Sequence, residues 1–182
     1  MADARVGVER ERYREVDKRM TQKPLFKRVA HIGLVVKSVE ETAKRCWENF
    51  GIGPWAFYTF DPSNVEEMTL RGRRVDHAMR IASAMIGNIE WEIIEPLDDR
   101  SVYAEHLRLH GEGLHHVMFD VDDYDVAKAR ITRTGCAEIV SGRWSGHPYS
   151  YLDTQKSLAC ITEIWSPPAA GEELPSPEWT YP

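Results

Sequence analysis

The chain has 182 residues, of which 42% are hydrophobic and 29% are charged, a composition typical of a soluble globular protein with one core of ordinary size. Its formal net charge of −6 argues against general nucleic-acid binding, which requires a basic face to neutralise phosphates. No apolar run approaches the roughly 20 residues needed to span a bilayer, and the N-terminus lacks the apolar core of a secretory signal. Three widely spaced cysteines without a CxxC pair predict reduced thiols. We therefore expect a cytoplasmic protein that binds neither nucleic acid nor membrane.

The N-terminal segment, residues 1–24, is predicted to be a helical extension. Residues 8–20 alternate in charge and carry Tyr13, Val16 and Met20 at helical spacing, a pattern typical of an amphipathic helix with a narrow apolar stripe. Such a stripe needs a surface to cover it. That surface is either the body of the protein or a second subunit.

The first half of the chain predicts a strand, a helix and three further strands. Ser38 followed by Glu41 forms a capping box that begins the helix, and Gly51 ends it. The polar residues 61–74 predict an extended loop, and Gly87-Asn88 predicts a turn between the last two strands. The expected strands are residues 28–36, 55–60, 75–86 and 89–95, and a short helix is expected from Ser101 to Leu109.

The second half predicts the same order of elements. Asp122-Asp123 caps a predicted helix that runs to about Thr134 and ends at Gly135. Residues 168–182 are rich in proline and are predicted to form an irregular tail. The expected strands are residues 113–121, 136–143, 147–153 and 157–165.

An internal repeat relates the two halves. His31 and His116 each lie five residues before a valine in a strand that leads into a helix, and Glu92 and Glu163 each begin the pattern Glu-Ile-x-x-Pro. The histidines are 85 residues apart and the glutamates 71, and the difference of 14 fits the extra segment 61–74. The repeat predicts two βαβββ modules, residues 28–96 and 113–167, within one domain of residues 25–167.

The repeat also predicts a metal centre. Each module carries a histidine on its first strand and a glutamate on its last, and a pseudo-twofold axis between the modules would bring the four side chains together. Two imidazole nitrogens and two carboxylate oxygens suit one divalent ion such as Mn²⁺, Co²⁺, Ni²⁺, Fe²⁺ or Zn²⁺, with open positions for the oxygens of a substrate. The predicted ligands are His31, Glu92, His116 and Glu163.

Neighbouring residues compete for two of these positions. Period-two alternation sends His115 to the opposite face of its strand, so the repeat selects His116 and predicts that replacing His115 leaves metal binding intact. Glu90 shares a face with Glu92, and alternation cannot separate them. The Glu-Ile-x-x-Pro match selects Glu92.

At these residues the chain resembles the vicinal oxygen chelate superfamily, which includes glyoxalase I, methylmalonyl-CoA epimerase, extradiol dioxygenases and the bleomycin and fosfomycin resistance proteins. The most specific stretches are EIIEPLDDRS from Glu92 and HGEGLHHV from His110, which resemble the epimerase branch. The resemblance implies an α+β fold in which two βαβββ modules form a cupped, eight-stranded mixed sheet around a metal site. It places the ligands at the same four positions as the repeat.

The resemblance also implies a function. Ring-cleaving dioxygenases of this group use two histidines and one carboxylate, so a glutamate at position 92 favours the epimerase and lyase branches. We expect a metal-dependent isomerase or epimerase, similar to methylmalonyl-CoA epimerase, that removes a proton next to the carbonyl of a small substrate such as an acyl-CoA. The alternatives are a glyoxalase I-like lyase acting on a thiol adduct and a non-catalytic binding protein of the same fold. Because family modules often complete their cup across a dimer, we also expect a homodimer.

Epimerisation requires two proton carriers. We expect Glu163, shared with the metal, to be one of them. The related epimerases place a catalytic glutamate about seventeen residues before the position of Glu92, and here that region offers Asp76 or His77.

Two further groups of residues allow both a structural and a functional interpretation. Aromatic residues on the 55–60 strand could line an apolar substrate pocket or pack in the core. Three arginines near residue 72 could hold a phosphate or carboxylate, or simply lie on a solvated loop. The residues concerned are Trp55, Phe57, Tyr58 and Phe60, and Arg71, Arg73 and Arg74.

Overall fold

A computed structural model describes residues 23–182, so the predicted helix at residues 8–20 and most of the predicted extension 1–24 lie outside the described residues. The described part is a mixed sheet flanked by helices. Within it, no helix combines the length and the apolar character needed to cross a membrane. The strands are β1 (Val29–Val35), β2 (Trp55–Phe60), β3 (Val65–Leu70), β4 (Arg73–Arg74), β5 (Met79–Ile86), β6 (Ile89–Pro96), β7 (Gly113–Phe119), β8 (Glu138–Trp144), β9 (His147–Leu152), β10 (Ile161–Trp165) and β11 (Trp179–Tyr181), and the helices are α1 (Val39–Phe50), α2 (Val102–His110), α3 (Tyr124–Thr132) and α4 (Gln155–Leu158).

The sheet has the order β11-β2-β5-β6-β1-β7-β10-β9-β8-β3-β4. Its eight central strands form two similar halves, because β1 pairs in parallel with β6 and β7 pairs in parallel with β10. The two halves meet where β1 and β7 pair antiparallel. The α+β class and the mixed sheet are therefore confirmed, and three additional strands extend the sheet beyond eight.

The segment 61–74, predicted as an extended loop, instead contains the hairpin of β3 and β4. β3 pairs antiparallel with β8, so this part of the first half joins the edge of the second half. Val65 and Met68 are buried there, with 1% and 0% of their surface exposed. The pairing shifts register between Glu66 and Thr69, which breaks the alternation that would have identified the strand in the sequence.

The tail is also more ordered than its prolines suggest. Residues 179–181 form β11, which pairs antiparallel with β2 at the other edge of the sheet. Trp179 stacks on Phe57, with ring centroids 3.6 Å apart. The prediction of a wholly irregular tail is therefore wrong at this point, because an edge strand can lie between prolines without losing ladder hydrogen bonds.

Three helix caps lie at predicted residues, whereas α3 ends at Thr132, before the predicted end at Gly135. The Ser38 hydroxyl accepts a hydrogen bond from the backbone N–H of Glu41, and Gly51 ends α1 in the left-handed conformation, with φ 66°. The Asp123 carboxylate accepts the backbone N–H of Val126 and begins α3 in the same way. These caps fix where each helix leaves the sheet.

Alternation along the strands divides the sheet into two faces. Glu90 and Glu92 of β6 lie on the face that we call the inner face, whereas Trp91 and Ile93 pack with Ala43 of α1 on the outer face. The same rule places Tyr58 and Phe60 of β2 on the inner face and Trp55 and Phe57 in the outer core. The inner face carries the candidate site.

Candidate metal centre

The four predicted ligands converge at the centre of the inner face. His31 Nε2 lies 2.9 Å from His116 Nε2 and 2.8 Å from Glu163 Oε2, and His116 Nε2 lies 2.9 Å from the same carboxylate oxygen. Glu92 approaches from the other side, with Oε1 3.8 Å from His116 Nε2. Three donor atoms thus form a triangle, and a fourth lies beside it.

The central strands bring the four residues together. β6, β1, β7 and β10 are consecutive in the sheet, and each contributes one of them. Gly33 of β1 pairs with Glu92 on one side and with His116 on the other. A Cβ on Gly33 would overlap the imidazole of His116, so only glycine leaves room for that ring. Gly33 is a residue of the site that the sequence interpretation missed, although a glycine inside a strand is itself a signal of close approach.

The four residues are buried, with 9% or less of the surface of each exposed. Burial alone would lower the pKa of His31, but the negative charges of Glu92 and Glu163 outweigh it and raise that pKa to about 9. Burial would raise the pKa of Glu163, but the charge of His31 and hydrogen bonds from both imidazoles lower it to about 2. Burial raises the pKa of Glu92 to about 8 against the opposing charge of His31. Without a metal, the cluster therefore holds Glu163 ionised and His31 protonated near neutral pH.

This arrangement fits a divalent ion. Ligand atoms bound about 2.1 Å from one ion and at right angles to each other are about 3 Å apart, which is close to the sides of the observed triangle. The buried Glu92 Oε1 has no hydrogen-bond partner among the described residues, and a cation would satisfy it. Two imidazoles and two carboxylates match borderline ions that accept octahedral coordination.

Metal binding is expected to release protons, because His31 and Glu92 must lose theirs to bind the ion. With pKa values of about 9 and about 8, both hold protons near pH 7 in the metal-free protein. Affinity should therefore rise with pH from 6 to about 9 and then level off, and calorimetry in buffers of different protonation enthalpy should find about one to two protons released per ion at pH 7. Glu92→Gln should release fewer protons than the wild type. An affinity that stays constant between pH 6 and 9 would contradict this assignment.

His115 does not project away from the site as alternation predicted. The pairing of β1 with β7 shifts register between Gly33 and Leu34, where His116 and Leu114 are the partners, so His115 is the extra residue of a β-bulge. Its Nδ1 lies 3.0 Å from Nδ1 of His116. If His116 binds an ion through Nε2, its Nδ1–H can donate to His115, which fixes the orientation of the ligand ring.

The bulge changes what we expect of His115→Ala. Loss of the partner of a ligating histidine lowers metal affinity about 10–100-fold in other sites, and we expect a decrease in that range, measured by competition with a chelator of known affinity. His115→Asn keeps a polar partner and should recover part of the loss. An alanine variant with wild-type affinity would restore the simpler expectation from strand alternation.

The structure does not bring Asp76 or His77 into the site. Asp76 Oδ1 accepts a hydrogen bond from Nε of Arg74 at 2.6 Å, on the exposed side of the chain. His77 is buried with its Nδ1 3.1 Å from the carbonyl oxygen of Val75, and its ring packs against Tyr103. Both residues precede β5, whose inner-face residues begin at Met79, so neither lines the cavity.

A cavity of about 230 Å³ opens on the candidate metal centre. Glu90, which competed with Glu92 in the sequence interpretation, lines this cavity and pairs in register with His31. Tyr58 and Phe60 form part of its wall, so the aromatic strand serves both the pocket and the core. Two of the three arginines are engaged elsewhere: Arg71 with Glu105, and Arg74 with Asp76.

Comparison with known proteins finds relatives of the same family and fold. The profile of the Glyoxalase/Bleomycin resistance protein/Dioxygenase superfamily matches residues 30–151. An ethylmalonyl-CoA/methylmalonyl-CoA epimerase of Cereibacter sphaeroides is 26% identical over 94 residues, which are 49% of this chain and 70% of that protein. The fold is similar to that of a Streptomyces coelicolor methylmalonyl-CoA epimerase in complex with 2-nitronate-propionyl-CoA, with TM-score 0.61, 23% identity, and coverage of 79% of this chain and 99% of that one. A Mycobacterium tuberculosis methylmalonyl-CoA epimerase gives TM-score 0.60 and 17% identity, with 83% and 95% coverage.

Proposed function

Because the chain belongs to the Glyoxalase/Bleomycin resistance protein/Dioxygenase superfamily, we propose that it is a metal-dependent isomerase or epimerase that removes a proton next to a carbonyl group. The observation that carries the proposal is the buried cluster of two histidines and two glutamates on the wall of a cavity. The curated relative is an acyl-CoA epimerase, which supports a thioester as the carbonyl substrate.

The proposed metal ligands are His31, Glu92, His116 and Glu163. A divalent ion held by them would supply positive charge to the oxygen of a substrate carbonyl and so make the adjacent C–H more acidic. In the metal-free protein the two imidazoles lie 2.8 and 2.9 Å from Glu163 Oε2 and keep this carboxylate ionised at the cavity wall, where it is available to the ion and to a substrate. Glu163 is the first proposed proton carrier.

Glu90 is the second proposed proton carrier, in place of Asp76 and His77. Its side chain lines the same cavity as Glu163 and has no hydrogen-bond or ion-pair partner among the described residues. A carboxylate that is not engaged by the protein is available to exchange a proton with a ligand. Glu90 lies on β6 and Glu163 lies on β10, so the two carboxylates come from different halves of the sheet.

Hydrogen exchange in D₂O tests this function. The metal-loaded protein should exchange the α-hydrogen of its substrate, followed by NMR or mass spectrometry across a panel of 2-branched acyl-CoAs, and removal of the metal should abolish the exchange. Exchange that persists after complete removal of the metal would refute the proposed chemistry. Exchange that occurs only with glutathione adducts would assign the site to a lyase, and no exchange with any carbonyl compound would favour a binding protein.

A further inference from the structure

The described residues that line the cavity offer hydroxyl groups, such as that of Tyr149, but no lysine or arginine that could form an ion pair with a carboxylate of the substrate. Three of them are glutamates: Glu90, Glu92 and Glu163. Two of these are the proposed ligands, and their charges neutralise a divalent ion. Glu90 is a third carboxylate, beyond the two that would bind the ion, and it disfavours an anionic group placed beside it.

The arginines on the neighbouring strands do not change this balance. Arg80 of β5 forms an ion pair with Glu40 of α1 at 3.1 Å, on the outer face of the sheet. Arg143 of β8 donates to the carbonyl oxygen of Gly146 at 2.7 Å and lies 3.7 Å from Glu67. Both residues alternate with inner-face residues on their strands, so their side chains lie away from the cavity.

The wall beside Glu90 is aromatic. Phe60 and Trp144 meet edge to face, with ring centroids 5.2 Å apart, and Tyr58 lies 6.3 Å from the same tryptophan. Trp165 extends the group, with its centroid 6.3 Å from that of Trp144. We call these four residues the aromatic wall. Such surfaces bind flat or branched hydrocarbon groups through apolar burial and ring packing.

We infer that the substrate group held in the cavity is uncharged and apolar, an aromatic or branched hydrocarbon next to the carbonyl, and that a free carboxylate in this position is disfavoured. The inference rests on the proposed function for the carbonyl and adds the class of substituent. It distinguishes this chain from relatives named for methylmalonyl-CoA, whose acyl group carries a carboxylate.

Equilibrium binding to the metal-loaded full chain tests the inference, with quenching of tryptophan fluorescence as the signal because Trp144 and Trp165 line the cavity. The first matched pair is 2-phenylpropanoyl-CoA and methylmalonyl-CoA, which share the CoA moiety and differ in the acyl substituent. The second is the glutathione hemithioacetals of phenylglyoxal and glyoxylate, which covers a thiol-adduct substrate. For whichever pair binds, the CoA thioesters or the glutathione adducts, we expect the compound with the apolar substituent to bind at least 10-fold more tightly than the compound with the carboxylate.

Two variants separate the contribution of the Glu90 carboxylate from that of the aromatic wall. Glu90→Gln should strengthen binding of the compound with the carboxylate several-fold relative to the compound with the apolar substituent, because it removes a negative charge and keeps the shape of the side chain. Trp144→Ala should weaken binding of the compound with the apolar substituent alone. If that variant does not fold, Phe60→Leu should have the same effect. Trp47→Ala, on the outer helix α1 and 39% exposed, is the matched control and should change the binding of neither compound.

Equal or tighter binding of the compound with the carboxylate overturns the inference, as does failure of the apolar compound to bind in both pairs. These measurements require no turnover. Preferential binding of the apolar compounds without α-hydrogen exchange would therefore refute the proposed function and support the inference. Tight binding of methylmalonyl-CoA together with α-hydrogen exchange would support the proposed function and refute the inference.

Discussion

Substitution of Gly33 by alanine is expected to lower the affinity for the divalent ion by more than about 100-fold, a larger loss than that of an outer-shell partner. The added Cβ overlaps the ring of His116, which is fully buried and cannot move aside without displacing its neighbours. Overpacking of this kind also lowers the free energy of unfolding by about 1–3 kcal/mol. Calorimetric titration with Mn²⁺ or Co²⁺ measures the first effect, and thermal unfolding measures the second.

Gly142→Ala is the matched control for this substitution. Gly142 also lies in a strand, and a Cβ there would meet the ring of Tyr149, which lines the cavity but is not a proposed ligand. The Gly142→Ala variant should therefore lose a similar amount of stability and keep a metal affinity close to that of the wild type. Equal metal affinities of the two variants would indicate that Gly33 has no specific role at the site.

Glu163→Gln is expected to lower the rate of α-hydrogen exchange at saturating metal by at least about 100-fold, the usual contribution of a positioned base. Glutamine keeps the shape of the side chain but cannot accept a proton at neutral pH. It also removes the charge that the two imidazoles contact at 2.8 and 2.9 Å, so metal affinity should fall as well. Measuring exchange at saturating metal separates the two effects.

Glu95→Gln provides the control for Glu163. Glu95 belongs to the same Glu-Ile-x-x-Pro pattern as Glu92, but its carboxylate accepts the backbone N–H of Val39 at the start of α1, on the outer face. Its exchange rate and metal affinity should match the wild type. If Glu163→Gln exchanges within about threefold of the wild-type rate, Glu163 is not a proton carrier.

The internal repeat was sufficient to predict that His31, Glu92, His116 and Glu163 meet at the centre of the sheet. A histidine and a glutamate at matched positions of two modules converge only if the modules are related by symmetry, and the topology pairs β1 with β7 at the centre with β6 and β10 on either side. Register follows from the buried inner face, because a slip of one residue would turn Glu92 and Ile94 outward. Long-range symmetry in the sequence thus carried more information than any single motif.

Local periodicity failed where the strands are irregular. Alternation assumes one residue per position, and the bulge at His115 adds a residue, so its ring remains beside His116. The same irregularity conceals β3, where the chain reads Val-Glu-Glu-Met and Glu67 adopts a positive φ of 55°. A single sequence does not indicate such bulges, because they arise from the pairing of one strand with another.

The prediction of Asp76 or His77 as the second proton carrier depended on a spacing in the related epimerases that this chain does not share. β5 and β6 join through the short turn at Gly87 and Asn88, which pairs Ser83 with Glu92. A residue seventeen positions before Glu92 therefore lies ahead of β5, outside the cavity. Glu90 was visible in the sequence as a residue on the same face as Glu92, but only the structure shows that it lines the cavity.

The metal content of the full chain tests the four-ligand assignment most directly. After reconstitution with Mn²⁺ or Co²⁺ and removal of free ion, elemental analysis should find about one divalent ion per chain, and His116→Ala should retain only a small fraction of it. His147→Ala is the control, since His147 pairs with Glu172 away from the site, and it should retain the wild-type content. A wild-type chain that holds no divalent ion, or a His116→Ala variant that holds as much as the wild type, would contradict the account.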